Sequence, residues 1–303
     1  MKKKLMALML SLTLCAALVP VFAAEGGSGA GAPEAAHFEL RTYRNTSVGG
    51  RLEATDPEGE PVTFRLTTEP MKGTVEVEPD GAFVYTPGTD KKGKDYFGYK
   101  AIDASGNESD EATVIISIEK AKRAPTYADL LGRAEAFAAA ELAERGVCTG
   151  KTVGAATLFE PDEALSRGEF LAMCLAAAGE PILRDVRATG FADDSAIPAW
   201  SKAYVSTGVR TGSVEGCSAD GALVFDAARP VTRAEAAVLL DRIFAPGGVT
   251  EVSVTDLPAS APAWAAQSVA RLTQVSVYPA GADPDAPLTR AEAAQMLVNA
   301  MNA

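Results

Sequence analysis

The sequence predicts two structural units, an all-β domain followed by a mainly α-helical module of three repeats. Residues 37–119 alternate between apolar and polar side chains, which is the pattern of half-buried strands. After the basic segment 120–125 the apolar period lengthens from two to about 3.6 residues and alanine becomes abundant, as in amphipathic helices. In this second part a short motif occurs three times, around Ser166, Thr232 and Thr289.

The N-terminal 36 residues are predicted to lie outside both units. Lys2, Lys3 and Lys4 precede an apolar run that is followed by small residues, which is typical of a secretory signal peptide at residues 1–23. Residues 24–36 are rich in glycine and alanine and are expected to form a flexible leader. No other run approaches the ~18 apolar residues of a membrane span. We therefore expect a secreted protein at the surface of a bacterium.

The acidic balance of the chain limits its partners. The formal net charge is −12, so bulk attraction to nucleic acid is excluded. Bacterial wall polymers are also anionic, and general electrostatics would oppose binding to them. Affinity for such a polymer must therefore come from local, well-formed sites.

Catalysis finds little support in the sequence, and we expect no enzyme. His37 is the only histidine, and we find no Ser-His-Asp set, metal cluster or phosphate loop. Cys148, Cys174 and Cys217 form no C-x-x-C motif, so a zinc ribbon is not predicted. The first two are interpreted as small core residues, with a bridge between them as the alternative, and the third as a thiol in a loop.

Strand-like runs occur at six to seven places in the first unit. Residues 62–66 and 74–78 alternate, and Asp80-Gly81 separates the second run from the next, which is a strong hairpin signal. Residues 96–101 and 112–118 complete the set. This number and spacing of strands predict an immunoglobulin-like sandwich over 37–119.

The turns of this unit resemble those of the bacterial cadherin-like domains of surface proteins. The segments that carry the resemblance are Asp56-Pro57-Glu58-Gly59, Gly73-Thr74-Val75, Asp80-Gly81, Tyr85-Thr86-Pro87, Asp95-Tyr96-Phe97 and Ala101-Ile102-Asp103. The resemblance implies that Asp56, Glu58 and Asp103 occupy positions that bind calcium in cadherin-like folds. A hard cation needs about six oxygen ligands, and a single domain lacks the neighbour that supplies some of them. Turn formation is therefore the other interpretation, and no other cofactor is expected.

The motif that recurs in the second unit is a helix capping box. Its copies are Leu165-Ser166-Arg167-Gly168-Glu169, Val231-Thr232-Arg233-Ala234-Glu235 and Leu288-Thr289-Arg290-Ala291-Glu292. The hydroxyl accepts from the third backbone N–H of the helix and the glutamate returns to the cap N–H. An arginine at the first helical position in all three copies indicates a function for that side chain.

Further landmarks lie upstream of each motif. Phe191-Ala192-Asp193 precedes Trp200, and Val254-Thr255-Asp256 precedes Trp264. Tyr127-Ala128-Asp129 opens the first repeat, but Ala134 stands where the alignment expects a tryptophan.

These landmarks resemble the S-layer homology family over about residues 126–303. The repeats span 126–180, 187–246 and 250–303. The resemblance implies a non-catalytic anchor that folds as three helical prongs around a pseudo-threefold axis. It also implies binding to secondary cell-wall polymer, a peptidoglycan-linked glycan, often through a pyruvylated terminal sugar. A two-helix unit of this size does not bury its apolar face alone, so we expect one cooperative domain.

The arginines and tryptophans are the candidate glycan-binding residues. Arg167, Arg233 and Arg290 each stand at a helix start, where free backbone N–H groups and the helix dipole favour an anion and the guanidinium adds a two-point fork for a carboxylate. Trp200 and Trp264 suit the apolar face of a sugar ring. The alternative is that the tryptophans are core and the arginines are ion-paired. Since the first repeat lacks a tryptophan, we expect the second and third to dominate binding.

The aspartates that open the repeats have two interpretations. Asp129, Asp193 and Asp256 either hold a hydroxyl of the glycan or cap the first helix of each repeat.

Two functional hypotheses follow. In the first, the protein is anchored non-covalently to the cell wall by its repeats and displays the sandwich outward. In the second, it is a secreted adhesin or surface-assembly protein whose sandwich binds a protein or glycan, and the repeats are degenerate. In both we expect the units to fold independently across a linker at 120–125 that proteases cut.

Overall fold

The computed structural model describes residues 31–219, 221–245, 252, 258 and 260–303. The expected Asp256 and the predicted signal peptide lie outside these residues. None of the helices described is long and apolar enough to cross a membrane.

The first unit is a β-sandwich of two mainly antiparallel sheets. One sheet has the order β2-β9-β8-β5 and the other the order β3-β7-β6, with β2 and β9 parallel. Their bounds are β2 Phe38–Tyr43, β3 Val48–Arg51, β5 Thr63–Thr68, β6 Gly73–Val77, β7 Ala82–Pro87, β8 Gly93–Ile102 and β9 Ala112–Glu119. The inner faces bury Phe97, Tyr99, Val114 and Ile116, which alternate along β8 and β9 as the period of two predicts.

The sandwich begins before residue 37, which corrects the expected extent of the flexible leader. β1, Glu34–Ala35, pairs with β4, Ala54–Thr55. The hydroxyl of buried Tyr99 donates to the carbonyl oxygens of Ala36 at 2.5 Å and Glu53 at 2.9 Å. A buried hydroxyl needs an acceptor, and this one holds residue 36 in place. The small residues of 31–36 hid this pairing because it uses backbone atoms only.

The second unit contains six helices and two β-hairpins within the described residues. The helices are α1 Ala136–Glu144, α2 Arg167–Ala177, α3 Ala199–Thr211, α4 Arg233–Phe244, α5 Ala266–Gln274 and α6 Arg290–Asn302. The hairpins are β10 Lys151–Val153 with β11 Ala156–Leu158, and β12 Cys217–Ala219 with β13 Ala222–Val224. The hairpins were not predicted, because strands of three residues are too short to show a period.

A ring of three backbone hydrogen bonds lies where the three motifs meet. Val231 N donates to Leu165 O at 3.0 Å, Leu288 N to Val231 O at 2.9 Å, and Leu165 N to Leu288 O at 3.0 Å. The cycle returns to its first residue, so the repeats are arranged around a pseudo-threefold axis. All three predicted capping boxes are present, at the starts of α2, α4 and α6.

The helices pair between repeats. α2 packs against α3, α4 against α5, and α6 returns to pack against α1. Each pair therefore joins the second helix of one repeat to the first helix of the next, and α1 with α6 closes the ring. One apolar core draws on all three repeats, including Leu142, Phe170, Leu240 and Leu297.

The sandwich is packed directly against the helical module. Phe137 of α1 packs on the core of the sandwich. Its ring lies 5.6 Å from the ring of Tyr43, and the guanidinium of Arg41 lies 5.3 Å from its centre. Glu141 of α1 accepts from the Tyr43 hydroxyl at 2.7 Å and pairs with Arg41 at 3.0 Å.

The linker is also held by the module, which changes the expectation of a free tether. The carboxylate of Glu144 accepts from the backbone N–H groups of Lys122, Arg123 and Ala124 at 2.8–3.0 Å. The linker therefore lies against the C-terminal end of α1.

Candidate functional site

The starts of α2, α4 and α6 have no free backbone donor in their first turn. The N–H groups of Arg167 and Gly168 donate to Arg229 O and Ala227 O of the next repeat, at 2.8 and 2.9 Å. Arg233 and Ala234, and Arg290 and Ala291, donate in the same way to Ala286 and Pro284 and to Glu163 and Pro161. The third N–H of each helix is taken by the cap hydroxyl. The expectation that these helix starts offer N–H groups to an anion is therefore wrong, and only side chains are available there to contact an anion.

The three guanidinium groups have different partners. Arg167 pairs with Glu235 at 3.0 Å, and Arg233 pairs with Glu292 at 2.5 Å, in each case with the capping glutamate of the next repeat. Among the described residues, no carboxylate lies within 4.0 Å of Arg290. Its guanidinium instead contacts Sγ of Cys148 at 3.7 Å.

Glu235 and Glu292 differ in how many cations hold them. Arg229 binds Glu235 through two hydrogen bonds, at 2.7 and 3.0 Å, in addition to the Arg167 contact. Burial raises the pKa of Glu235, but the bonds from Arg229 and Thr232 and the charge of Arg167 outweigh it, so that its pKa lies below the ordinary value. Within the described chain, Arg233 is the cation that pairs with Glu292. Arg167 can therefore leave Glu235 without stranding a charge, whereas the departure of Arg233 would leave Glu292 unpaired.

Arg167 and Trp264 line one cleft, which we call the Arg167 cleft. It has a volume of about 330 Å³ and lies between the α2/α3 and α4/α5 pairs. The Arg167 guanidinium lies 5.1 Å from the ring centre of Phe225, which forms the floor beside it. The Trp264 side chain is 61 % exposed at the rim, and Arg242 on the rim pairs with Glu215 at 3.1 Å. The cleft thus presents a cation on an aromatic floor beside an open aromatic face.

The pseudo-threefold axis defines two equivalent positions. At one of them, the Arg290 cleft, the guanidinium lies 5.5 Å from the ring centre of Phe159, as Arg167 does from Phe225. The residue equivalent to Trp264 there is Trp200, which is 52 % exposed at the start of α3. At the other position, the Arg233 cleft, the equivalent residue is Ala134.

This arrangement corrects the expected pairing of arginine with tryptophan. The sequence placed each arginine with the tryptophan of its own repeat, and therefore gave Arg167 no aromatic partner. The structure brings Arg167 of the first repeat together with Trp264 of the third. The repeat that lacks a tryptophan thus supplies an arginine to a complete pair. The spacing along the chain held no signal for this exchange, since it depends on how the helices pair between repeats.

Two of the opening aspartates, Asp129 and Asp193, fasten a loop and cap no helix. Asp129 accepts from the N–H groups of Phe159 and Glu160 at 2.7–3.0 Å, and Asp193 accepts from Phe225 N and Asp226 N at 3.0 and 2.8 Å. The N-caps of α1 and α3 are Glu135 and Pro198. The expectation of a helix cap is therefore wrong. These carboxylates position the phenylalanines that lie under Arg290 and Arg167.

The acidic candidates of the sandwich close turns. Asp56 accepts from the N–H groups of Glu58 and Glu60, and Asp103 from the N–H and side-chain amide of Asn107. In the described parts of the chain no three His, Cys, Asp or Glu side chains are grouped as a metal site.

The histidine and the cysteines take no part in these clusters. His37, which directly precedes β2, accepts from Thr113 N of β9 at 2.9 Å. Cys148, Cys174 and Cys217 are free thiols, so the alternative of a bridge within the first repeat is not realised. Burial raises the pKa of Cys174 well above its ordinary value, as expected for a core thiol.

Comparison with protein families identifies the sandwich. Residues 31–120 match the family model described as the bacterial cadherin-like domain. This part of the chain is a bacterial cadherin-like domain, which confirms the resemblance read from its turns and sets its start at residue 31. It also supports an extracellular surface protein. The comparison with curated proteins gave no match.

Solved structures that are similar to this chain each cover about 30 % of it. They include the SrpA adhesin of Streptococcus sanguinis, at 20 % identity over 30 % of this chain and 58 % of that one, with a TM-score of 0.24. Human protocadherin-24 EC1-2 matches at 16 % identity over 30 % and 53 %, with a TM-score of 0.25. The endo-fucoidan hydrolase MfFcnA4 of glycoside hydrolase family 107 matches at 18 % identity over 31 % and 14 %, with a TM-score of 0.26. The match spans less than two thirds of each of these proteins.

Proposed function

We propose that this chain is a non-catalytic surface protein whose helical module binds an anionic, pyruvylated secondary cell-wall polymer and so anchors the cadherin-like domain to the cell wall. The assignment of residues 126–303 to the S-layer homology family is part of this proposal. The observation that carries it is the Arg167 cleft, where Arg167 and Trp264 from different repeats meet over Phe225. Such a pair matches a sugar that has one carboxylate and one apolar face.

The chemistry of the cleft favours exchange of one carboxylate for another. A pyruvyl ketal presents a single carboxylate, which the planar guanidinium binds at two points. Arg167 can accept it because Arg229 continues to hold Glu235. The sugar ring stacks on Trp264. The apolar area that this stacking buries contributes about 1–2 kcal/mol to the binding free energy.

The Arg290 cleft needs no exchange of partners. Its guanidinium is stacked on Phe159 and contacts the Cys148 sulfur. Its Nε atom is buried with no hydrogen-bond partner among the described residues, and a buried polar group without a partner favours a ligand that supplies one. Trp200 provides the aromatic face at this position.

Sedimentation with cell walls tests the proposal. Purified walls that are stripped of protein but retain their polymer should sediment the full chain, and walls stripped of polymer should not. Arg290→Ala and Trp264→Ala should each weaken binding several-fold. Arg184→Ala is the matched control, since it removes the same charge from an exposed position of the module. Equal binding to both kinds of wall would refute the anchor.

The family of the sandwich favours a second candidate function. A cadherin-like domain suits adhesion, so the sandwich would bind a protein or glycan partner and the module would serve as its support. The same assay separates the two, because adhesion through the sandwich does not depend on Trp264 or on the polymer.

A further inference from the structure

We propose that the cadherin-like domain itself occupies the third cleft of the module, so that the intact chain offers only the Arg167 and Arg290 clefts to an anionic glycan. The count of open clefts rests on the function proposed above. The occupancy of the third cleft rests on contacts within the chain.

The third position is recognisable from its equivalents. The Arg167 cleft is lined by Trp264 and Val238, and the threefold axis carries these to Ala134 and Gln295. Ala134 and Gln295 do line a cleft, of about 340 Å³. Its remaining walls come from strands of the sandwich, including Gly50, Phe83 and Val84. The position equivalent to the open mouth of the Arg167 cleft is therefore walled mainly by the sandwich.

The sandwich lies where an aromatic side chain would stand. Gly49 N donates to Ala134 O at 3.1 Å, and a Cβ atom added to Gly49 would lie 2.5 Å from Cβ of Ala134. The two residues are therefore in close contact, and a bulky side chain at residue 134 would press against β3. The missing tryptophan of the first repeat is thus explained by the docked sandwich, and the close approach explains the glycine that faces it.

The charges at this position also oppose an anionic ligand. Glu76 of β6 and Glu78, which directly follows β6, line the cleft that contains Ala134 and are exposed. Arg233 is held by Glu292 and donates to the carbonyl of Asp283 at 3.2 Å. An anion entering here meets two carboxylates, and the guanidinium of Arg233, which the threefold axis makes equivalent to that of Arg167, already has a partner.

Several other contacts keep the sandwich on this face. Gly132 N donates to the Ser47 hydroxyl at 3.0 Å, and Tyr43 donates to Glu141 at 2.7 Å. Both contacts flank the Gly49 and Ala134 approach along the chain, so β2, β3 and α1 form one continuous interface.

Small-angle scattering tests the occupancy without any ligand. Ala134→Trp and Gly49→Leu introduce bulk from opposite sides of the interface and should each increase the radius of gyration of the full chain. Leu131→Trp is the control, because Leu131 is 71 % exposed, and it should leave the radius unchanged. Circular dichroism identifies a variant that has unfolded, and the other variant then decides. A folded variant with the wild-type radius would overturn the occupancy.

Calorimetric titration tests the count of open clefts. The probe is a methyl hexoside that carries a 4,6-pyruvate ketal. We expect two molecules bound per wild-type chain and one per Arg290→Ala chain. Three molecules per wild-type chain, or one, would overturn the proposed count. If none binds, the proposed function fails for this sugar, and the scattering experiment still decides whether the sandwich fills the third position.

Discussion

Glu141 of the first helix accepts a hydrogen bond from the hydroxyl of Tyr43 in the sandwich, at 2.7 Å. Both side chains are nearly buried, at 4 and 6 % exposure. Arg41 and Arg145 approach the same carboxylate at 3.0 and 2.8 Å, so the charge of Glu141 is compensated from both units. A polar group of this kind joins the two units with a defined orientation, because a sliding interface would leave the carboxylate unpaired.

Removal of the Tyr43 hydroxyl should weaken this junction. A hydrogen bond to a charged group contributes about 1.5–3 kcal/mol, so we expect Tyr43→Phe to lower the free energy of unfolding by that amount. Tyr96→Phe removes the same atom from a side chain that is 52 % exposed and should have almost no effect. Urea unfolding of the full chain measures both. Equal effects of the two substitutions would show that the Tyr43 bond adds nothing.

The junction should also respond to acid. Burial raises the pKa of Glu141, but the bonds from Tyr43 and Arg145 and the charge of Arg41 outweigh it and hold the folded pKa below the ordinary 4.5. The stabilisation is therefore complete above pH 4.5 and is lost as the pH falls through the lower folded pKa. We expect the urea midpoint of the wild type to fall below pH 4.5 more steeply than that of Glu141→Gln. Parallel curves would contradict this.

Arg167 and Arg233 should exchange the ranks that the sequence suggested, while Arg290 remains important. Arg167→Ala and Arg290→Ala should each weaken binding of a pyruvylated wall fragment more than Arg233→Ala does, because Arg233 is committed to Glu292. Arg290→Lys should cost about 1–2 kcal/mol, since lysine keeps the charge but loses the two-point fork. Calorimetry with pyruvylated and unpyruvylated fragments measures the series. Equal losses at all three arginines would remove the distinction between the clefts.

The linker should resist proteolysis although it contains three basic residues. Its N–H groups at Lys122, Arg123 and Ala124 are bonded to Glu144, and a protease must pull such a segment into an extended form. We expect Glu144→Ala to accelerate tryptic cleavage within 120–125. Glu135→Ala, at the other end of the same helix, is the control. Rapid cleavage of the wild type would restore the tether that the sequence alone suggested.

Local chemistry was readable from the sequence, whereas partners distant in the chain were not. The capping boxes at Ser166, Thr232 and Thr289 were predicted because a helix start is specified by four adjacent residues. The alternation of β8 and β9 is equally local. The partner of Arg167 could not be predicted, since Glu235 and Trp264 reach it only when helices pair between repeats.

The opening aspartates and Ala134 have structural roles that differ from the ones expected from the sequence. Asp129 and Asp193 recur because a loop needs its N–H groups satisfied, and nothing in a short motif separates that role from a ligand contact. Ala134 was interpreted as a lost binding residue. Its close approach to Gly49 places it in the interface with the sandwich instead, and only the fold of the other unit reveals this.

The packing of α1 against α6 closes the ring of helices and so fixes the number of repeats in the module. In an open solenoid each added repeat extends the stack, but here the last helix returns to the first and every pairing surface is used. A fourth repeat inserted by duplication would find no vacant neighbour, and deletion of one would leave two unmatched helix faces. A change in the binding capacity of such a module is therefore expected to come from additional whole rings of three or from altered individual clefts.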